Sequence, residues 1–192
     1  MALRLSAIAV LAGAVFIVAA VLPVSFRVFP ESSSDRRLQH ILASETQWTL
    51  ANVLFGVGAA VVVGGIILFA LGVDDRAARV VALASGVLAL AGLVPWIMHL
   101  SARVTDPAAF ARGDLPSWWL WTYFILTPSA IALFGVALLA SGLLAAWVGW
   151  TVIGTMAVII VATLVAGDMV PAVYYLVALL PGTMLLMATA RA

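Results

Sequence analysis

The chain has no cysteine, no lysine and only two histidines, and 9% of its 192 residues are charged. Each shortage excludes a class of chemistry. Without cysteine there is no disulfide, thiolate metal site, iron–sulfur cluster, c-type haem attachment or redox-active thiol. Without lysine there is no Schiff base, and so no retinal pigment held in that way. His40 and His99 are the whole histidine complement. A b-type haem would therefore have to take one axial ligand from a polar loop. A net charge of +1 gives no electrostatic basis for binding nucleic acid. Charge is scarcest toward the C-terminus, where Asp168 is the only charged side chain between Leu115 and Ala190. Soluble domains carry about 25% charged residues, so this part of the chain belongs in a bilayer. An acid within or beside one is a functional-site candidate by default.

What remains is apolar. Hydrophobic residues make up 66% of the chain and the mean hydropathy is +1.24. The apolar runs are of the length of about 20 residues that crosses a membrane as a helix, and no run alternates over about 10 residues as a barrel strand would. The expected fold is an all-α integral membrane protein, a six-transmembrane-helix bundle with two short interfacial helices on one face. A single transmembrane domain covers 1–192, with spans at about 5–26, 47–71, 79–102, 118–139, 144–166 and 170–190. The run after Arg4 exceeds the apolar core of a signal peptide and is expected to stay as the first span.

Two connections, 27–46 and 104–117, are long and polar. In the first, Ser34 or Asp35 is the expected helix cap, followed by Leu38, Ile41 and Leu42 at helical spacing. In the second, Asp106 is the expected N-cap, Pro107 fits the first helical position and Gly113 the end. These elements would lie as a lid over one end of the bundle. Pro23 and Pro95, each followed by a polar loop and then by a Trp-Thr pair (Trp48-Thr49 and Trp121-Thr122), suggest a duplicated hairpin, although Trp belongs at membrane interfaces anyway.

Arginine is the only strong base, and Ala, Val, Leu and Gly dominate. That composition fits a GC-rich prokaryotic genome, so the expected location is a prokaryotic plasma membrane. Arginine counting does not orient the chain: Arg4, Arg76, Arg79 and Arg191 lie on one face, and Arg27, Arg36, Arg37, Arg103 and Arg112 on the other. Arg4 before the first span and the acids in the long loops favour cytoplasmic termini.

Nearly all polar and aromatic residues of note map to the loop face. His99 and Asp168 are the candidate catalytic pair, an imidazole and an acid at similar depth. His40, Glu45, His99 and Asp168 have the right ligand types for Zn, Fe or Mn, without any HxxxH, ExxH or HExxH spacing. Asn52, Trp96, Trp121, Tyr123 and Tyr174 are the candidate ligand-binding residues, a polar and aromatic set suited to a lipid- or quinone-like molecule. Each has a plain structural counterpart. Asp168 can cap the last span in the turn Gly167-Asp168-Met169-Val170-Pro171. His99 can bond a carbonyl at the interface, the tryptophans can form an aromatic belt, and Asn52 can join two helices.

No Walker A, GxGxxG or GxSxG motif is present, no motif specifies a cofactor, and the pattern does not decide whether the chain is an enzyme. The leading expectation is a small multi-pass membrane protein that binds a partner protein or a hydrophobic ligand, one form of which is an accessory subunit of a membrane complex. One alternative is a membrane enzyme or cofactor protein with the His/Asp site. The other is a small-molecule transporter or channel, with Asn52 and kinks at Pro95, Pro128 and Pro181 lining a path.

Overall fold

The computed structural model describes residues 1–166 and 172–191, with side chains up to 190. The described residues are mostly helical and hold no strand. Six helices are long and apolar enough to cross a membrane: α1 (Ala2–Ala19), α4 (Glu45–Gly72), α5 (Arg76–Thr105), α7 (Ser117–Ser141), α8 (Ala146–Ala166) and α9 (Ala172–Arg191). Three short helices lie at one end, α2 (Ser25–Val28), α3 (Ser34–Leu42) and α6 (Pro107–Arg112). The fold is thus an all-α membrane bundle, with one short helix more than expected.

The long helices form a closed ring in chain order. Helix α1 packs on α4, α4 on α5, α5 on α7, α7 on α8, α8 on α9, and α9 returns to α1. Small residues set the closest approaches. A Cβ on Gly58 would lie 2.7 Å from the Gly13 carbonyl, and one on Gly13 would lie 2.6 Å from the Gly58 carbonyl. Gly65, one heptad on, has its carbonyl bonded by the Ser6 hydroxyl at 2.7 Å, tying α1 to α4 again. Gly135 and Gly149 make the same backbone approach between α7 and α8. Inside the ring Phe69 of α4 meets Phe134 of α7 edge-on, with centroids 5.2 Å apart.

The first span is shorter at its loop end than expected and reaches only Ala19. Pro23 has no N–H to bond the Ala19 carbonyl, so the chain turns there and winds α2 separately. Pro95 does not interrupt α5, which runs on to Thr105; buried among neighbouring helices, a proline is tolerated in a span. Trp48 is buried whereas Trp121 is 39% exposed. The paired Trp landmarks therefore sit in unlike surroundings. Beside Pro128, the Ser129 hydroxyl donates to the Ile125 carbonyl at 2.7 Å.

The shortness of α1 creates the site. Its register on α4 puts Ala2 and Leu3 beside Gly72, and Gly13 beside Gly58. Carried on, Ala19 lies level with about Asn52, so the first two turns of α4 extend beyond the end of α1, a height of about 10 Å. The segment 20–30 folds into that volume.

Candidate functional site

The lid is built from local signals. Ser33 caps α3 by accepting the Arg36 N–H, one residue earlier than expected. Asp106 caps α6 by accepting the Ala109 N–H at 2.9 Å, and Gly113 ends it in the left-handed conformation with φ of 79°, as the sequence predicts. Val24, Val28, Ile41 and Trp48 form a small core of their own beneath these helices, with Leu22 and Phe110 against it. Arg37 binds the lid together: its guanidinium donates to the Glu31 carbonyl and, through Nη1, to the Ala111 carbonyl at 3.2 Å. The Trp48 indole donates to the Arg103 carbonyl at 3.0 Å, joining α4 to the end of α5.

Under the lid is a cavity of about 760 Å³, within the range of about 300–1,000 Å³ usual for small-molecule sites. Its walls come from the 20–30 segment, from α4 with Trp48, Asn52 and Phe55, from α5 with Trp96, His99 and Arg103, and from α6 and the start of α7. Trp96, His99 and Arg103 are three and four residues apart and so share one face of α5. The lining is strongly aromatic. Phe29, Trp48 and Phe110 contact one another with centroids 5.3 to 6.3 Å apart. The Arg103 guanidinium lies 5.0 to 5.3 Å from the ring centres of Phe29, Trp96 and Phe110, where ring quadrupoles favour a cation.

His99 is the chemically distinctive group. It is only 5% exposed, its ring stacks on Trp96, and neither ring nitrogen has a hydrogen-bond partner among the described residues. The Trp96 indole N–H likewise has none. A buried polar group left unpaired costs about 1–3 kcal/mol, so these atoms favour a molecule that can bond them. Asn52 does not bridge to another helix: its amide nitrogen donates to the Trp48 carbonyl of its own helix at 2.8 Å. Its carboxamide oxygen is then the acceptor it can offer the cavity.

The expected ligand-binding residues divide. Asn52 and Trp96 line the cavity. Tyr123 lies behind it, stacked on Trp96 with centroids 4.2 Å apart and bonded to the Tyr175 hydroxyl at 3.2 Å. Tyr174 is buried in contact with Tyr123 and Phe124. Trp121 is not part of the lining. Of the expected catalytic pair, His99 lies in the cavity and Asp168 lies outside the described residues. Of the expected metal set, His40 faces Glu31 at 3.9 Å. The described residues bring no three metal-ligating side chains together. Phe29, Trp48, Arg103 and Phe110 line the site without being among the residues expected to bind a ligand.

A second, much smaller void of about 10 Å³ lies deeper between α4, α5 and α7, bounded mainly by apolar side chains such as Val62, Ile66, Leu93 and Ile131. That is about the room one water needs. Compared with family models, with curated proteins and with solved structures, the chain matches none, so the reading of its function rests on the site itself.

Proposed function

We propose that this multi-pass membrane protein binds a hydrophobic small molecule in the cavity under its loop-face lid. The observation that carries the reading is His99: a buried imidazole, unpartnered at both nitrogens among the described residues, in the wall of a large aromatic cavity. A protein that only needed packing would fill this volume or satisfy the ring. Binding alone needs no catalytic constellation, and no group of three metal-ligating side chains stands among the described residues. Arg4 before the first span and the acids of the long loops support cytoplasmic termini in a prokaryotic plasma membrane, which puts the cavity on the outer side.

The test is native mass spectrometry of the full chain extracted gently from its own membrane. The expected result is a lipophilic molecule of defined mass that His99→Ala loses. A chain that carries no small molecule but copurifies stoichiometrically with a second protein overturns the reading in favour of an accessory subunit.

A further inference from the structure

Resting on that pocket reading, we infer that the ligand is a quinone-class lipid: a flat conjugated ring bearing carbonyl or hydroxyl groups, on a hydrocarbon tail. The walls suit a ring rather than an acyl chain. Trp96 and His99 lie nearly parallel at 23°, and Trp96 and Tyr123 continue the stack at 13°. Phe55 meets Trp96 edge-on, and Phe29, Trp48 and Phe110 form a second cluster of rings in the lining. Such rings gain from offset or edge contacts with another ring, whereas a flexible chain needs only an apolar lining. The polar groups suit a carbonyl. A neutral imidazole offers one donor and one acceptor, so His99 can meet either a quinone oxygen or a quinol hydroxyl, and the Asn52 oxygen can accept from the latter.

A phosphate head is a poorer match. It needs converging cations, and here the Arg37 guanidinium is committed to the Glu31 and Ala111 carbonyls. Arg103 has three aromatic rings around its guanidinium. A tail has a way out. Val21 and Phe26, both apolar, line the cavity and are 39% and 68% exposed, so the cavity has an apolar edge along which a tail can leave.

The experiment uses the purified full chain in detergent, where a benzoquinone with a decyl tail should quench the fluorescence of Trp48 and Trp96 saturably, at one molecule per chain. Decylbenzene, with the same tail and a ring lacking carbonyls, should displace it poorly, and so should a short-chain phosphatidylglycerol. His99→Ala should weaken the decyl-quinone by about tenfold, roughly the worth of one hydrogen bond to a buried partner, and leave decylbenzene unchanged. If decylbenzene competes as well as the quinone, the quinone class fails while the pocket reading stands; if His99→Ala changes nothing, the pocket reading that His99 carries falls with it. If the phosphatidylglycerol binds more tightly, the ligand is a phospholipid and the inference is overturned. If none of the three binds, both readings fall. Should His99→Ala not fold, Asn52→Leu and the comparison with decylbenzene decide the same question, since neither touches the α5 stack.

Discussion

Trp48 meets the lid through its ring and α5 through a single polar atom. Its ring is buried among Phe29 and Phe110, and its N–H serves the last turn of α5. Trp48→Phe keeps most of the apolar contact and removes that donor, so the chain should melt lower by the equivalent of about 1 kcal/mol, measured as thermal unfolding in detergent. Glu31 plays the corresponding part at the lid's edge. Its carboxylate accepts the Ser33 N–H at 2.9 Å. That bond, helped by the charges of Arg36 and His40, holds its pKa below the ordinary carboxylate value. A depressed carboxylate stabilises the fold above its unfolded pKa, and the benefit is lost as the pH falls through its folded pKa. Amide protection in α3, corrected for intrinsic exchange, should therefore drop on the acid side of about pH 4, and Glu31→Gln should show the loosened lid already at neutral pH. Trp96 and His99 can be read from the sequence because an imidazole and an indole near the end of a span are rare and share a face. Arg103 does not stand out there, because an arginine at a span's end ordinarily reaches for the membrane surface. Tyr123 lies one step of about 100° around α7 from a lining position: its neighbour Phe124 lines the cavity, while Tyr123 faces the core behind Trp96.

At the scale of the element, the interface between α1 and α4 decides which glycines can change. A methyl on Gly58 would meet Ile17 at 2.6 Å and the Gly13 carbonyl at 2.7 Å, whereas one on Gly64 meets nothing within 4 Å. Alanine is intrinsically better than glycine inside a helix by about 1 kcal/mol. Gly64→Ala should thus raise the melting temperature. Gly58→Ala should lower it, because forced backbone separation costs about 1–3 kcal/mol and outweighs the same gain. Equal shifts for the two would refute close backbone packing of these helices. The spans themselves are legible in the sequence because each is a long apolar run, and the caps at Asp106 and Gly113 because those residue types act locally. The end of α1 is not, since the apolar run continues to Phe26 and hydropathy does not register a missing N–H at Pro23. That one boundary is also what opens the cavity, so the site's volume stays hidden even though three of its wall residues, Asn52, Trp96 and His99, are in view.

For the whole molecule, six antiparallel spans in a closed ring place both termini on one side and the lid with its cavity on the other. The charges do not orient this arrangement strongly, because arginines are divided almost evenly between the faces and the positive-inside rule works on their excess. The absence of cysteine makes the question directly measurable, since any single introduced thiol is the only one in the chain. Ser32 is exposed on the lid and Asp74 is exposed in the short turn between α4 and α5, on the opposite side. With the termini inside, Ser32→Cys should react with a membrane-impermeant maleimide in intact cells, and Asp74→Cys only after the cells are opened. That result would put the cavity's mouth on the outer side, where a ligand arrives from the outer leaflet. The reverse pattern would turn the molecule over and place the cavity at the cytoplasmic face, leaving its chemistry unchanged but giving its ligand the inner leaflet as its source.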